Sequence, residues 1–391
     1  MKKKIKILLV GLGSEIGSTL LYLFTQNKNY FVIEGVLTNK IYKNDLHKSF
    51  ETLLARIVLN EPSLVDKVSF DLENSNLRIL GHNIKIYWGD IKKFNLRVFK
   101  KKFDVSIVST SKKHINNKKV MKRFLKVSTF VLGAAESKNL PSIYPSLLKT
   151  NSNIIQAKPI NLFDVKEKVF ALGSCQSNGW QSQLKALIEG FSSLNVNDTS
   201  ILGCELDIIH PDTPQGKIGT KKIEPREQDA RNNFRPGFSQ VEISMNKLFE
   251  NAHKLNTISL RTLITPPGYQ ISRFFMNIKK EESLKIDKQI FKNVLMKNSK
   301  KNKHFYFTTT FPFGSKAYER LETAAVILLG DEYFHFNKNF LKFNLNDNCV
   351  LSEIIFQSYV HNTRGYCKSV LETIKTIFHE KNRNKYLNCW K

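Results

Sequence analysis

A cysteine at the start of a predicted helix is the residue in this sequence best suited to covalent chemistry. Cys175 lies in the run Ser-Cys-Gln-Ser-Asn-Gly at 174–179. Apolar residues follow it at helical spacing: Trp180, Leu184, Leu187, Ile188 and Phe191. Unpaired amide N–H groups and the dipole at a helix N-terminus favour the thiolate form of such a cysteine. We therefore predict that Cys175 is a nucleophile; the simpler alternative is a small buried apolar residue.

A histidine in the next segment is a candidate partner for this thiol. His210 lies in Ile-Ile-His-Pro-Asp-Thr at 208–213. An imidazole next to a thiol takes up its proton at neutral pH and then moves protons for the steps that follow. The sequence therefore predicts a Cys175–His210 pair, with a hydrogen-bonded core histidine as the alternative.

The N-terminus has the pattern of a dinucleotide-binding unit. A buried parallel strand is predicted over 5–10, a glycine turn and a helix follow, and a second strand is predicted over 31–37. The turn consists of Gly11, Leu12, Gly13, Ser14, Glu15, Ile16 and Gly17. Its glycines permit close approach of a pyrophosphate, which then lies at the helix N-terminus. The G-x-G-x-x-x-G spacing is one residue longer than the usual fingerprint, so a glycine turn with a purely structural role stays open.

The rest of the chain is predicted to alternate between strands and helices. Strands are expected at 84–88, 105–108 and 129–132. The strand over 103–109 ends in Ser109 and is followed by Thr110, at the place where doubly wound sheets bind ligands. After Cys175, long alternating segments at 202–209 and 305–311 indicate a mixed or antiparallel sheet. A final helix is predicted through Val370 and Phe378. The expected fold class is α/β, with a Rossmann-type dinucleotide-binding domain followed by an α+β catalytic domain.

Size and cysteine usage restrict the class of protein. A chain of 391 residues, 41% hydrophobic, is long enough for two domains with a core in each. Its five cysteines are scattered without C-x-x-C spacing, which argues against a disulfide framework or a zinc site and for a reducing compartment. The basic start with its short apolar run lacks a cleavage site, and no segment has the 18 or more apolar residues of a membrane span. We expect a cytoplasmic protein without a membrane partner.

The formal net charge of +27 raises the question of nucleic acid. However, the lysines are spread along the chain among many asparagines, and no arginine-rich or aromatic-interleaved motif accompanies them. The charge therefore argues for a Lys/Asn-rich composition rather than for a nucleic-acid partner, and it suits attraction of anionic small molecules.

These motifs, in this order, resemble the glyceraldehyde-3-phosphate dehydrogenase family over nearly the whole chain. Residues 174–178 resemble the family's S-C-T-T-N, which carries the nucleophile, so Ser174, Gln176 and Asn178 are implied to lie at the substrate. His210 and Thr213 resemble its H-x-x-T, which carries the general base and a phosphate-binding threonine.

Three further segments continue the resemblance. Residues 232–236 resemble Q-N-I-I-P, and Arg261 in 261–266 resembles the phosphate-binding arginine of R-V-P-T. Residues 359–366 resemble W-Y-D-N-E-x-G-Y, which implies nicotinamide contacts for Asn362 and Tyr366. The resemblance implies an NAD(P)-binding domain over 1–174, completed by the C-terminal helix over 363–391, a catalytic domain over 175–362, and a homotetramer.

The departures from the family pattern concern substrate and cofactor. Gln176 replaces a threonine, and Ser239 with Gln240 stands where a Thr-Gly pair helps to hold the attacking inorganic phosphate. A phosphorylated aldehyde is therefore expected as substrate, while release of the acyl group by phosphate or by water stays open. After the second strand, Thr38 and Asn39 replace the carboxylate that binds the adenosine ribose in NAD enzymes, and Lys40 is adjacent as a cation that could attract a 2′-phosphate. Either NAD or NADP is thus expected, with a tendency towards NADP.

The resemblance implies a covalent mechanism. The Cys175 thiolate attacks an aldehyde, the oxyanion is held by the Cys175 N–H and protonated His210, and His210 then removes the hydroxyl proton as hydride leaves. The substrate is glyceraldehyde 3-phosphate or another phosphorylated aldehyde, such as erythrose 4-phosphate in a specialised biosynthetic pathway. A protein without catalysis that binds nucleic acid or another partner is the third hypothesis.

Overall fold

The chain forms a mixed α/β structure built on two large sheets. The structure, a computed structural model, describes residues 3–211, 235–249, 254–262, 264–298, 302–310, 314–339, 348–379 and 387–391. Its strands are β1 (Ile5–Val10), β2 (Phe31–Thr38), β3 (Val68–Asp71), β4 (Asn76–Ile79), β5 (His82–Trp88), β6 (Phe103–Val108), β7 (Ser128–Gly133), β8 (Ile160–Asn161), β9 (Val169–Ala171), β10 (Thr199–Pro211), β11 (Arg235–Gly237), β12 (Lys254–Thr262), β13 (Gly268–Lys279), β14 (Phe305–Thr308), β15 (Ala325–Leu328), β16 (His335–Asn337), β17 (Cys349–Val360) and β18 (Asn388–Cys389). Its helices are α1 (Glu15–Gln26), α2 (Leu46–Asn60), α3 (Lys112–Ile115), α4 (Lys118–Lys122), α5 (Cys175–Ser193), α6 (Val241–Leu248), α7 (Lys280–Ser283), α8 (Lys288–Asn298) and α9 (Arg364–His379).

The first sheet is mostly parallel. Its strand order is β3-β4-β5-β2-β1-β6-β7-β9, and only the pairs β3–β4 and β4–β5 among these are antiparallel. β1 is central, because it pairs in parallel with β2 on one side and with β6 on the other. The strands predicted in this region are confirmed, whereas the β3–β4 hairpin and helix α2 are additions.

Both faces of the first sheet are covered. Ile7 and Leu9 of β1 enter a core with α1, α2 and α9, while Leu8 and Val10 enter a second core with residues of α3 and α4. Neighbouring residues of a strand point to opposite faces, which explains the continuous apolar run that the sequence shows at 5–10. The predicted C-terminal helix is confirmed as α9, whose apolar face returns to the first of these cores.

The second sheet is mixed, as the alternating segments predicted. Its order is β11-β12-β10-β13-β17-β15-β14, with β10 parallel to β12 and antiparallel to β13. The helical spacing after Cys175 corresponds to α5, on which Trp180, Leu184 and Phe191 are fully buried against this sheet. The strand predicted over 305–311 ends earlier, at Thr308, and Phe311 lies outside the described residues.

Candidate active site

One edge of the second sheet gathers several of the predicted site residues. β10, β12 and β17 end at this edge and β13 begins there, because β10 and β12 are parallel while β13 runs against both β10 and β17. His210 near the end of β10 pairs directly with Arg261 on β12. Gly268 at the start of β13 pairs with Val360, which brings the segment of Asn362 to the same edge.

The N-terminus of α5 is a rigid, capped turn. Ser174 is its N-cap, and its hydroxyl accepts a hydrogen bond of 3.0 Å from the Ser177 backbone N–H. Asn178 donates from Nδ2 to the carbonyl oxygens of Leu172 (3.1 Å) and Ser174 (2.9 Å). Capping of this kind stabilises the first turn and aims its N–H groups at whatever lies in front of Cys175, the first residue of the helix.

Gln176 connects this turn to the sheet edge. Its Nε2 donates to Oδ1 of Asn362 at 2.7 Å, while Gln270 on β13 donates to the Gln176 carbonyl oxygen at 2.9 Å and to its Oε1 at 2.5 Å. All three side chains are buried. Gln176, predicted to contact substrate, therefore holds Asn362 and β13 against the turn of Cys175.

The strand segment around His210 packs closely against the start of β13, which also contacts Gln176. A Cβ atom on Gly268 would lie 2.6 Å from the Ile209 carbonyl oxygen, 2.8 Å from Cδ of Pro211 and 3.4 Å from Nε2 of Gln176, so only glycine permits this close approach. Nδ1 of His210 lies 2.6 Å from the Pro211 carbonyl oxygen. A carbonyl only accepts, so Nδ1 carries the hydrogen and the neutral ring holds its basic lone pair on Nε2.

Arg261 is supported by the strand next to it. A Cβ atom on Gly237 would lie 3.0 Å from Cγ and from Nε of Arg261, and Nη2 of Arg261 donates to the Phe238 carbonyl oxygen at 3.4 Å. Ser239 follows directly, is buried, and its hydroxyl accepts a hydrogen bond of 3.3 Å from the Val241 N–H. Thr213 and residues 232–234 lie outside the described residues.

Burial raises the pKa of Cys175 to about 11. The backbone N–H groups of Gln176 and Cys175 and the charge of Arg261 lower this pKa, whereas the Glu15 carboxylate raises it. The helix terminus acts in the predicted direction, but the cost of charging a partly buried thiol outweighs it. The thiol is therefore mostly protonated at neutral pH in this state.

The glycine turn after β1 packs against the end of β6. Gly11 has φ +100°, a conformation that favours glycine, and a Cβ atom there would lie 2.6 Å from Cγ2 of Thr110. A Cβ atom on Gly17 would lie 2.0 Å from the Gly11 carbonyl oxygen. Ser14 caps α1 and donates to the Ser109 carbonyl oxygen at 2.6 Å. The turn thus requires glycine for its own packing, whatever binds to it.

A cavity of about 200 Å³ adjoins this turn. It is lined by the predicted cofactor residues Gly11, Gly13, Ser14, Thr38, Asn39, Ser109 and Thr110. Arg56 on α2 lines it as well, and the sequence analysis missed this residue together with its helix. The helical spacing of Phe50, Leu53 and Ile57 behind the capping residue Asp45 is the signal that reveals α2.

Thr363 and the first turn of α9 join the glycine turn to the turn of Cys175. Thr363 donates from Oγ1 to Oε1 of Glu15 at 2.5 Å, and Sγ of Cys367 lies 3.7 Å from the Ile16 carbonyl oxygen. The Tyr366 hydroxyl donates to the Gly173 carbonyl oxygen at 2.9 Å. Glu15 and Tyr366 thereby bring the two groups of predicted residues together around Cys175.

A buried charged pair lies behind the turn of Cys175 and was not predicted. Glu136 and Lys247 lie 3.3 Å apart with side chains that are 0% and 8% exposed. The Ser244 hydroxyl donates to Oε2 of Glu136 at 2.5 Å and lies 2.8 Å from the Ser177 hydroxyl, and the Ser177 and Ser174 hydroxyls lie 2.8 Å apart. A continuous chain of polar contacts therefore runs from this pair to the cap of α5.

No protein-family model matches the chain, and no curated protein matches it significantly. In the part of the chain that the structure describes, no helix combines the length and the apolar character that crossing a bilayer requires.

Proposed function

We propose that this protein is an NAD(P)-dependent aldehyde oxidoreductase of the glyceraldehyde-3-phosphate dehydrogenase type, acting on a phosphorylated aldehyde. One observation carries the proposal. The turn with Cys175 meets the glycine turn through Glu15, and it meets the sheet edge with His210 and Arg261 through Gln176 and Gly268. A nucleophile, a base, a phosphate-binding cation and a dinucleotide turn are the groups that this chemistry needs.

The first sheet supports the cofactor part of the proposal. Strand order reverses at β1, with β2 on one side and β6 on the other, and dinucleotides bind outside the carboxyl ends of strands at such a point. We infer a Rossmann-type domain from this order and from the glycine turn. The bound nicotinamide would supply a hydride acceptor.

Asn362 supports the fit of a nicotinamide. Its Oδ1 accepts from Gln176, whereas its Nδ2 is buried and has no hydrogen-bond partner among the described residues. An unsatisfied buried donor is costly, which suggests a ligand acceptor such as a carboxamide oxygen. Asn362 and Tyr366 would orient the ring, while Gly11, Gly13 and Ser14 would hold the pyrophosphate.

The proton steps fall to His210. Because burial raises the pKa of Cys175 to about 11, a base has to remove the thiol proton before attack. His210, with its lone pair on Nε2, takes that proton as the Cys175 sulfur adds to the aldehyde carbon. The N–H groups of Cys175 and Gln176, which already stabilise negative charge at the thiol, would stabilise the oxyanion. His210 would then return this proton to the oxyanion, giving a hydroxyl group, and would remove it again as hydride passes to the bound nicotinamide, so that a thioester remains on Cys175.

Arg261 gives the proposal its substrate class. It lies directly across from His210, and its charge acts on the Cys175 thiol, so a phosphate held by Arg261 would lie within one small molecule's length of the nucleophile. Gln176 and Ser239 occupy positions that differ from the family pattern. Release of the acyl group by inorganic phosphate or by water is therefore the open part of the proposal.

The open face of the second sheet supports a homo-oligomer. On the sheet face opposite α5, Ile258 and Ile209 are 62% and 37% exposed, and the ion pair of Arg273 with Asp207 (2.6 Å) lies next to them. Exposed apolar patches with a polar rim mark interaction sites. Ile258→Glu should lower the mass measured by light scattering if copies of the chain associate through this face.

A panel of phosphorylated aldehydes with NAD and NADP, with and without phosphate or arsenate, tests the function. We expect reduction of the cofactor with at least one aldehyde, no turnover for Cys175→Ser, and a loss of about 10²–10⁴-fold for His210→Asn. Glyceraldehyde 3-phosphate and erythrose 4-phosphate distinguish the two substrate hypotheses. Absence of turnover with every aldehyde, together with a salt-dependent shift of nucleic acid in a gel, would refute the proposal in favour of a binding protein.

A further inference from the structure

The cavity beside the glycine turn is lined by a positively charged residue and by no negatively charged one among the described residues. It lies at the ends of β1, β2 and β6, and its wall contains the neutral polar residues Thr38 and Asn39. Among the described residues that line it there is no carboxylate, and Arg56 is the one with a formal charge. A cavity with this wall attracts an anion.

Arg56 is held in a fixed position. The residue is 7% exposed, and Nη1 donates to the Gly13 carbonyl oxygen at 2.8 Å. A Cβ atom on Gly13 would lie 2.8 Å from the same nitrogen, so a side chain at the second glycine of the turn would displace the guanidinium group from this position. Burial lowers the pKa of Arg56, which means that its surroundings penalise the charge, and a bound anion would offset this penalty.

The place of the cavity indicates which anion this is. In parallel sheets with a dinucleotide turn, the residue at the end of the second strand contacts the adenosine ribose, and an arginine nearby accommodates a 2′-phosphate. Thr38 ends β2 and shares the cavity with Arg56, whereas Lys40 is exposed and does not line it.

We propose that Arg56 binds the 2′-phosphate of the adenosine ribose and so sets a preference for NADP over NAD. This inference rests on the proposed function, since it assumes that a dinucleotide binds at the glycine turn. Arg56 acts here as a specificity-determining residue, and Lys40 contributes little because its charge lies in water.

Binding measurements with cofactor fragments test this without turnover. Isothermal titration calorimetry gives the dissociation constants of 2′,5′-ADP, 5′-AMP and ADP. ADP carries a pyrophosphate but no 2′-phosphate. We expect the wild-type protein to bind 2′,5′-ADP most tightly. Arg56→Gln should weaken binding of 2′,5′-ADP by about 10- to 100-fold, the range for a hydrogen bond to a charged group, and leave the affinity for 5′-AMP unchanged.

Two variants complete the design. Arg56→Lys keeps the charge but loses the planar arrangement of donors, so it should weaken binding of 2′,5′-ADP about tenfold. It replaces Arg56→Gln as the test if that variant has a lowered melting temperature. Lys40→Gln removes an exposed charge next to β2 and should leave all three affinities unchanged.

The outcomes separate this inference from the proposed function. Equal binding of 2′,5′-ADP and 5′-AMP by the wild-type protein, or a loss caused by Lys40→Gln instead of Arg56→Gln, overturns the role of Arg56 alone. If Arg56→Gln lowers the affinities for ADP and for 2′,5′-ADP to the same degree, Arg56 contacts the pyrophosphate instead, and its role at the 2′-phosphate is overturned. Failure of every nucleotide and of both dinucleotides to bind overturns the proposed function with it.

Discussion

Gln176 donates a hydrogen bond of 2.7 Å from its Nε2 to Oδ1 of Asn362, a residue 186 positions later in the chain. The same side chain accepts from Gln270 on β13. This arrangement leaves Nδ2 of Asn362 as a buried donor and fixes the direction in which it points. A departure from the family pattern, glutamine for threonine, is thereby connected to the residue that we assign to the nicotinamide.

Replacing Gln176 should weaken binding of the cofactor more than binding of the substrate. In Gln176→Ala, Asn362 loses the partner of its Oδ1 and its amide group is free to rotate. A net hydrogen bond contributes about 0.5–1.5 kcal/mol, so KM for the cofactor should rise by about 2- to 10-fold. Steady-state kinetics with varied cofactor measure this. Gln181→Ala is the matched control, since Gln181 is also buried on α5 but its side-chain amide has no hydrogen-bond partner among the described residues; an equal rise in both variants would contradict the assignment.

The reactivity of Cys175 should depend steeply on pH. Its pKa is raised to about 11, and only the thiolate is alkylated, so the iodoacetamide rate should rise about tenfold per pH unit between pH 7 and pH 10. Glu15 raises this pKa and Arg261 lowers it. Glu15→Gln should therefore speed labelling at pH 8, and Arg261→Gln should slow it.

A carboxylate on the first sheet supplies the control for this measurement. Glu34→Gln removes a carboxylate of β2 that pairs with Lys6 at 3.5 Å, and it should leave the labelling rate of Cys175 unchanged. A rate that is already independent of pH between 7 and 9 would mean that Cys175 is a thiolate at neutral pH, as its position at a helix start alone had predicted.

How much could be predicted from the sequence differs between local and distant features. The apolar run at 5–10 and the spacing of Trp180, Leu184 and Phe191 identify β1 and α5, because each pattern reports burial within one element. The same holds for the capped turn before Cys175, whose polar residues are neighbours in sequence.

The contacts that shape the site were not predictable in this way. Gln176 and Gln270 are 94 residues apart, and Glu15 and Thr363 are 348 apart, so no local period reveals either pair. The raised pKa of Cys175 has the same origin, since it depends on how deeply the tertiary structure buries the thiol. Arg56 was missed for a different reason: its helix has a readable pattern, but a single cation within it looks like any surface arginine.

Removing the buried cation Lys247, behind the turn of Cys175, should destabilise the fold. Lys247 donates to the carbonyl oxygens of Ser137 (2.6 Å) and Leu140 (2.8 Å) besides its pairing with Glu136. Lys247→Met leaves the Glu136 charge buried without its cation, which typically costs about 3–5 kcal/mol. Urea unfolding measures this loss in the free energy of unfolding.

An exposed pair supplies the comparison. Lys122 and Glu167 have side chains that are 35% and 41% exposed, and Lys122→Met should cost at most about 1 kcal/mol. The double variant Glu136→Gln with Lys247→Met removes both charges and should regain part of the loss. Equal stabilities of Lys247→Met and the wild-type protein would show that Glu136 and Lys247 contribute nothing to the fold.

Arg261 should distinguish phosphorylated from non-phosphorylated aldehydes. Arg261→Ala removes a cation that we assign to the substrate phosphate, and kcat/KM for phosphorylated aldehydes should fall by the equivalent of about 2–4 kcal/mol. Aldehydes without phosphate should change little. Arg273→Ala, which removes an arginine paired with Asp207 on the open sheet face, is the control. The same loss for both classes of aldehyde would make Arg261 a structural residue.

The cofactor preference should respond to a single charge at the end of β2. Asn39 is exposed, follows Thr38 directly and lines the cavity of the glycine turn. In Asn39→Asp, a carboxylate would repel a 2′-phosphate and accept hydrogen bonds from the free ribose hydroxyls, so the ratio of affinities should move towards NAD. Asn83→Asp adds the same charge near the start of β5, at the end of the sheet away from Asn39, and should leave the ratio unchanged. Dissociation constants for NAD and NADP, measured with each variant, check this. A wild-type preference for NAD above about 100-fold, roughly 2.7 kcal/mol, would contradict the prediction, because a neutral strand end next to a cation cannot impose it.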